Sequence, residues 1–540
     1  MNERRFAVRL LRGLATTLLL FAGTQAASRC LDCHQDMREG FAPGHAALAG
    51  DCSACHAGDA TAKTRQAAHL GLIAFPGNLD NAKHSCGRCH ARQLARVTQS
   101  LMHSGAGMVH TTRRVFGEPP SRPGSDSLES LGDSPADELL RKLCAGCHLG
   151  QEKKRHALDV SRDRGGGCLA CHLNEQAGGG HPALGTNIGD GRCFGCHSRS
   201  GRISLSYAGL AEVSPGDGTG QANEPARLED GRSVQAMPAD THHQAGLSCI
   251  DCHTERGLMG SDRPAQQKHE AVDIACEDCH LGRRRLRLDQ WPQAWKAMKQ
   301  RIPFPAGQDS EFLLTRNGTP LWNVELRDGR AWLYRKNGGG RVEIPPYEEG
   351  AHPLAREHAR LSCAACHSQW APRCYGCHLE YDPEERQYDH VLHRRTAGRW
   401  KERRSAVDNG LPSLGVSDDD RVVPVVPGMI MTLAHPALDG PRLVRRFAAL
   451  SPHTIGKARD CASCHRSAVA LGLGEGTLEN GEAGWRFLPA RKTLSDGLPA
   501  DAWTDLEGRL PELPPFGVRP FRPRELRKLL QAPLAAGTDE

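Results

Sequence analysis

The chain has 540 residues, which at about 150 residues per domain would correspond to three or four ordinary globular units. However, 22 residues are cysteine, only 5% are aromatic, and the mean hydropathy is −0.51. These values argue against a core of aliphatic and aromatic side chains alone, and the cysteine content argues against a cytosolic enzyme. The formal net charge of +6 is small for a chain of this length. The interior is therefore expected to hold something besides protein.

The first 26 residues have the pattern of a secretory signal peptide. Four arginines between positions 4 and 12 precede an apolar run at 14–23, and small residues follow at 24–26. The run is too short to cross a bilayer, which takes about 20 residues. A lipid anchor is the alternative, but Cys30 follows Ala-Ser-Arg, which is a poor lipidation context. We predict cleavage after Ala26, export to the periplasm or the cell surface, and no transmembrane segment in the mature protein.

Every cysteine of the chain belongs to a Cys-x-x-Cys pair, and each of the eleven pairs is followed directly by histidine. Chance does not explain this, because histidine is only 27 of the 540 residues. The pairs are Cys30 and Cys33, Cys52 and Cys55, Cys86 and Cys89, Cys144 and Cys147, Cys168 and Cys171, Cys193 and Cys196, Cys249 and Cys252, Cys276 and Cys279, Cys363 and Cys366, Cys374 and Cys377, and Cys461 and Cys464. Each motif is named below by its first cysteine.

Cys-x-x-Cys-His is the attachment signature of haem c. The two thiols form thioethers with the vinyl groups on one porphyrin edge, and the adjacent imidazole turns under the iron as its proximal ligand. We therefore predict eleven covalent haems per chain. The predicted proximal ligands are His34, His56, His90, His148, His172, His197, His253, His280, His367, His378 and His465.

Three other uses of paired cysteines explain the pattern less well. Structural zinc takes such pairs two at a time and does not need a histidine after each one. Eleven disulfides, each closing a four-residue loop, would tie almost nothing together. A thioredoxin-like redox motif would account for one pair but not for eleven.

On these motifs, which span residues 30–465, the sequence resembles the multihaem c-type cytochromes of bacterial respiratory chains. That group includes soluble electron carriers, polymeric extracellular cytochromes, and enzymes that act on nitrite, hydroxylamine or tetrathionate. Its nitrite-reducing members often carry lysine in place of the motif histidine, whereas every motif here ends in histidine. The resemblance therefore implies an electron carrier whose partners are other redox proteins. An oxidoreductase with one open haem, and a subunit of a self-associating cytochrome filament, remain as alternatives.

Sixteen histidines lie outside the motifs, enough for a second axial histidine at all eleven irons. Met429 and Met431 fall in an apolar run that is predicted to be a buried strand, so methionine ligands are not favoured. Several of the histidines stand a few residues before a motif, and the resemblance implies that such a residue binds the iron of a neighbouring haem. The distal candidates are His45, His69, His103, His110, His156, His181, His243, His269, His352, His358, His435 and His453.

The motifs divide the mature chain into four regions. Residues 27–280 hold eight motifs, residues 281–362 hold none, residues 363–465 hold three, and residues 466–540 form a Pro-rich tail without candidate ligands. Eight motifs in about 250 residues leave little room beyond short helices and loops. The predicted fold class is therefore haem-cored, mainly short α-helices and irregular loops, with a small β-meander near 312–344.

Particular elements are expected within these regions. Turn dipeptides such as Asn317-Gly318 and Asp328-Gly329 separate alternating apolar residues and predict the meander, which is read either as a lid over nearby haems or as a docking module. Cys363 and Cys374 start motifs only 11 residues apart, which predicts a tight haem pair. One short helix is expected at 525–531.

The positive charge does not indicate nucleic-acid binding. Residues 1–26 carry four Arg and one Glu, so cleavage would leave a net charge of +3. Each haem adds two propionate groups, and the arginines are expected to neutralise these. Nucleic acid is therefore excluded as a partner.

Overall fold

The computed structural model describes residues 30–37, 41, 43–119, 121–122, 124–154, 164–174, 181–198, 203–213, 226–228, 231–348, 352, 356–374, 377–404, 407–511 and 517–534. The predicted signal peptide and His156 lie outside the described residues. None of the helices in the described ranges is long and apolar enough to cross a membrane.

The prediction of a mainly helical fold is wrong. Helices contain 29% of the residues and strands contain 24%. The largest sheet is mixed, has six strands and lies in the last third of the chain. The motif-poor segment between Cys377 and Cys461 is long enough to form extended strands. The spacing of the motifs does not predict this sheet, because most of its residues lie between motifs.

Short helical segments dominate the region that holds the first eight motifs. Helix Ala106–Val115 is the longest, and it starts directly after Gly105, whose φ of +60° ends the preceding helix. A side chain at Gly105 would also collide with Leu128, since a Cβ would lie 2.7 Å from Leu128 Cδ1. The helical segments are Cys30–Cys33, Gln35–Met37, Pro43–Leu48, Ser53–His56, Arg65–Ala68, Leu79–Ala82, Cys86–Arg88, Ala91–Val97, Leu101–Ser104, Ala106–Val115, Leu128–Ser130, Pro135–Leu139, Leu140–Cys144, Ala145–Cys147, Leu169–His172, Gly191–His197, Ile203–Tyr207, Thr241–Gln244, Cys249–Cys252, Glu255–Met259, Lys268–Ala271 and Cys276–His280.

Two small sheets lie between these helices. One pairs Leu173–Asn174 with Ala183–Leu184 in antiparallel fashion. The other contains Leu210–Glu212, Ala226–Arg227 and Ser233–Ala236.

The predicted meander is present as a three-stranded antiparallel sheet of Val324–Arg327 (β1), Arg330–Tyr334 (β2) and Arg341–Ile344 (β3). The β1–β2 turn contains Asp328 and Gly329, both with positive φ. Earlier in the segment, Glu311–Leu313 pairs with Arg285–Arg287 rather than with the meander. Helical turns Leu288–Gln290, Gln293–Trp295 and Lys296–Lys299 complete this region.

The large sheet contains Cys377–Asp389 (β4), Arg394–Arg404 (β5), Ser413–Ser417 (β6), Val422–Ala434 (β7), Arg442–Ala449 (β8) and Val518–Arg519 (β9). The strand order is β5-β4-β7-β6-β9, with β8 also paired to β7. Strands β4 and β7 run parallel, and the other pairs are antiparallel. The apolar run of β7 is therefore a central strand, as predicted from its composition.

The remaining elements surround this sheet. They are helices Cys363–His367, Ala462–His465 and Pro523–Gln531, the strand pair Ala371–Cys374 with Val407–Gly410, and the hairpin Gly476–Gly481 with Gly484–Pro489. The predicted helix at 525–531 is confirmed and begins two residues earlier.

Two apolar clusters join the sheet to the rest of the chain. On one side, Leu379, Trp400 and Leu433 pack against Val115 and Leu139 of the motif-rich region. On the other, Leu414 and Val416 pack with Leu526 and Leu530 of the last helix. The described part of the Pro-rich tail therefore belongs to the same core as the sheet.

Candidate functional site

Most motifs form one tight helical turn. In the Cys30, Cys52, Cys86, Cys168, Cys249 and Cys461 motifs, the histidine N–H donates to the carbonyl of the first cysteine, at distances of 2.8–3.0 Å. This bond joins residues four apart, as in an α-helix. It holds the two thiols on one side of the turn with the imidazole directly behind them, as attachment to one porphyrin edge requires. No disulfide joins the cysteines whose side chains the structure describes.

Eight motif histidines face a histidine from another part of the chain. Seven of these pairs have ring centres 6.0–6.3 Å apart, and the eighth has them 5.0 Å apart. The pairs, with the motif residue first, are His34 and His69, His56 and His181, His90 and His45, His148 and His103, His253 and His453, His280 and His242, His367 and His352, and His465 and His358. His172, His197 and His378 are not part of this set.

The separation matches two imidazoles bound to opposite sides of one metal. An imidazole nitrogen binds such a metal at about 2.0–2.1 Å and lies about 1.1 Å from its own ring centre, so two ring centres should be about 6.2–6.4 Å apart. Seven pairs fall within or just below this window. The pair His148 and His103 is the exception, with ring centres 5.0 Å apart. In that pair the Nε2 of His103 lies 2.9 Å from Glu129 Oε1.

Hydrogen bonds at Nδ1 orient many of these rings. In five motif histidines Nδ1 lies 2.8–3.0 Å from a backbone carbonyl oxygen: His56, His172, His280, His367 and His465. The opposing His352 and His453 make the same contact at 2.9 Å. A carbonyl only accepts, so Nδ1 carries the proton and Nε2 is left as the ligand atom.

Burial favours the neutral, metal-binding form of two motif histidines. Burial lowers the pKa of His148 to about 4, with a further contribution from His103. Burial also lowers the pKa of His253 to about 4, and His453 adds to the effect. His148 Nε2 is buried and has no hydrogen-bond partner among the described residues. A neutral imidazole with a vacant Nε2 fits an iron ligand.

Seven of the twelve distal candidates take part in these pairs: His45, His69, His103, His181, His352, His358 and His453. His156 lies outside the described residues. The remaining four candidates have other surroundings. His110 Nδ1 is 3.2 Å from Asp126 Oδ2, and His243 packs on Tyr207. His435 lies against Tyr381 and Trp400, while His269 is exposed.

His242 is not among the predicted distal ligands, although it lies opposite a motif histidine. Its ring faces that of His280 with centres 6.1 Å apart, and its Nδ1 is 2.8 Å from Asp240 Oδ1. Asp240 is the N-cap of helix Thr241–Gln244 and accepts from the His242 backbone N–H as well. The combination of an N-cap aspartate and a histidine two residues later is a signal that could have favoured His242 over His243.

Three histidines that precede one motif lie opposite the histidine of a different motif. His45 precedes the Cys52 motif but faces His90, and His358 precedes the Cys363 motif but faces His465. His453 precedes the Cys461 motif and faces His253, which lies 200 positions earlier in the chain. Opposed histidines therefore connect distant segments.

Comparison with protein-family models, with curated proteins and with solved structures finds no match for this chain.

Proposed function

We propose that this chain is an undecahaem c-type cytochrome that relays and stores electrons through bis-histidine haems. The observation that carries the proposal is the set of opposed histidine pairs with ring centres 6.0–6.3 Å apart, each with one member in a Cys-x-x-Cys-His turn. The predicted signal peptide supports a location in the periplasm or at the cell surface. The partners would be other redox proteins.

Different residues would attach each haem and bind its iron. The paired cysteines would bind each porphyrin covalently, and the motif histidines would be the proximal ligands. His45, His69, His103, His181, His242, His352, His358 and His453 would be distal ligands. Haem iron supplies reversible one-electron chemistry. Two histidines on one iron exclude substrate, and the Nδ1 hydrogen bonds keep the imidazoles oriented through both redox states.

Intact mass spectrometry of the mature protein tests haem attachment. We expect about eleven haem masses on the polypeptide and no thiol open to alkylation after denaturation. Fewer than ten haems, or several reactive thiols, would contradict the proposal.

Spectroscopy separates the carrier from an enzyme. With histidine on both sides of every iron, the oxidised protein should show only low-spin signals, and the reduced protein should bind almost no carbon monoxide. One rapidly reacting haem in eleven, with turnover of nitrite, hydroxylamine or tetrathionate, would instead support an oxidoreductase. Ordered fibres in electron micrographs would support the filament alternative.

A further inference from the structure

We infer that the eleven haem-attachment motifs form one branched line that meets at the Cys193 motif. One arm joins the Cys30, Cys52, Cys86 and Cys168 motifs to Cys193. A second arm runs from Cys193 through Cys249, Cys276 and Cys363 to Cys461. A short third arm holds the Cys144 and Cys374 motifs. This inference rests on the proposed function, because the motifs conduct only if they carry haem.

The beginning of the first arm is defined by ligands that come from neighbouring motifs. His69, opposite His34 of the Cys30 motif, lies in the loop after the Cys52 motif, which Ile73 N–H closes by donating to His56 O at 2.8 Å. His45, opposite His90 of the Cys86 motif, lies in the turn Pro43–Leu48 just before Cys52. The haem of each of these motifs would therefore lie beside that of the Cys52 motif.

Direct contacts between thiols continue the arm. Cys86 and Cys168 are hydrogen-bonded to each other, and both touch the same loop: Cys86 Sγ is 4.0 Å from Pro76 O, and Cys168 N–H donates to Gly77 O at 2.9 Å. The helix Leu169–His172 of that motif packs against the helix Gly191–His197, which contains Cys193. These contacts bring the first arm to the proposed meeting point.

The second arm leaves Cys193 through Cys249. Their thiols are hydrogen-bonded, and Cys249 N–H donates to Asp190 Oδ1 at 2.9 Å, three residues before Cys193. Thr254, two residues after Cys252, donates its hydroxyl to Asp273 Oδ2 at 2.7 Å, and Asp273 lies three residues before Cys276. The Cys249 and Cys276 motifs are therefore neighbours.

The second arm then reaches the end of the chain. The ligand atoms of Cys276, Glu277 and Cys363 lie within 4.8 Å of one another. Both thiols are haem-attachment residues, so this cluster marks the approach of two porphyrin edges rather than a separate metal site. Cys366 O accepts from Arg459 N–H at 2.9 Å, two residues before Cys461, and the Cys366 and Cys464 thiols interact.

The third arm starts at the same meeting point. Cys196 Sγ–H donates to Cys147 O at 3.5 Å, and their thiols are also hydrogen-bonded. Leu143, next to Cys144, and Cys377 pack against the same apolar cluster, which contains Leu139 and Leu379. The Cys374 motif therefore adjoins the Cys144 motif, more than 200 residues away in sequence.

The large sheet separates the two motifs that are closest in sequence. Leu361, just before the Cys363 motif, pairs with Val422 at the start of β7, whereas Cys377 pairs with Met431 near its end. Nine residues of extended strand span about 25–30 Å. In the inferred order the Cys363 and Cys374 motifs therefore belong to different arms rather than to the predicted tight pair.

The branched order predicts where the line is cut. The C-terminal helix lies beside the Cys461 motif, since His465 Nδ1 is 2.8 Å from Leu529 O. A biotinylated peptide at the C-terminus would thus attach the holoprotein to an electrode with that end nearest. We would compare the Cys193→Ala/Cys196→Ala variant with Cys30→Ala/Cys33→Ala, a control that also lacks one haem but at the end of an arm.

At fast scan rates we expect all ten haems of the control to respond but only four of ten in the Cys193→Ala/Cys196→Ala variant, with the others appearing as the scan slows. Ten haems responding together in both variants would overturn the branched order. Intact mass checks separately that ten haems are attached, so failure of haem binding is distinguishable from failure of the order. Should the variant not fold, electron cryo-microscopy of the wild-type holoprotein decides: three haems adjacent to that of Cys193 support the inference, and contact between the Cys363 and Cys374 haems overturns it.

Discussion

The imidazole rings of His242 and His280 face each other with their centres 6.1 Å apart, although 37 residues separate them in the chain. His243, the next residue, has its ring 5.1 Å from that of Tyr207. Two adjacent histidines thus have different surroundings, and this provides a matched pair of variants.

His242→Ala should open one iron, whereas His243→Ala should not. Loss of the distal imidazole would leave the haem of the Cys276 motif five-coordinate. We expect one high-spin haem in eleven and binding of about one carbon monoxide per reduced chain. His243→Ala should keep the wild-type spectrum. High-spin signals of equal size in both variants would contradict the assignment of His242.

Asp240 contacts the segments of two proposed distal ligands, His242 and His453. Its Oδ1 accepts from His242, and its Oδ2 accepts from Ile455 N–H at 2.8 Å, two residues after His453. Asp240→Asn preserves an acceptor but removes the negative charge that raises ligand basicity. We expect the potentials of the haems at Cys276 and Cys249 to rise by tens of mV, where 59 mV is a tenfold change in a one-electron equilibrium. Potentiometric titration with unchanged midpoints would count against this role.

Glu525 should make the C-terminal helix sensitive to acid. Burial alone would raise its pKa, but hydrogen bonds from Arg519 and the Arg522 N–H, together with the charge of Arg519, outweigh burial and lower the pKa to about 2. A carboxyl group with a lowered folded-state pKa stabilises the fold above about pH 4.5, and this contribution is lost as the pH falls toward 2.

The corresponding experiment compares thermal midpoints across pH. At pH 7 Glu525→Gln should cost about 1–3 kcal/mol, allowing for partial solvent screening, and the difference from wild type should shrink below pH 4. Glu479→Gln, in the exposed hairpin, is the control and should change little. A difference that is constant down to pH 2 would show that the charge of Glu525 is not responsible.

Arg445 should be essential to the sheet region. Its side chain is 1% exposed, pairs with Asp496, and donates to the carbonyls of Leu498, Pro499 and Ala502 at 2.7–2.9 Å. Arg445→Met removes these hydrogen bonds and leaves the Asp496 carboxylate without its cation, which should destabilise the region by about 3–5 kcal/mol.

Hydrogen exchange of residues 496–502 measures this effect directly. Protection in that segment should fall in Arg445→Met, while Arg486→Met, whose wild-type side chain is 69% exposed, should match wild type. Equal protection in all three proteins would contradict the assigned role of Arg445.

The sequence by itself determined the features that depend on neighbouring residues. In six motifs the Cys-x-x-Cys-His turn is closed by a bond between residues four apart, so these turns were predictable from spacing. The β1–β2 turn followed from Asp328-Gly329 in the same way, because backbone conformation at a turn is decided by its own residues. The last helix was likewise visible in its own pattern of residues.

Only the tertiary structure decided which histidines lie opposite each other and which strands pair. His453 reaches His253 across 200 positions, and no spacing rule selects one histidine among sixteen for such a contact. The sheet was missed because β4 and β5 carry many charged residues and gain their burial from Val115, Leu139 and other distant side chains. Leu361, just before the Cys363 motif, and Cys377, in the Cys374 motif, pair with residues at different ends of β7. Local turns are specified by a few adjacent residues, whereas strand pairing and ligand choice depend on which distant surfaces are buried together.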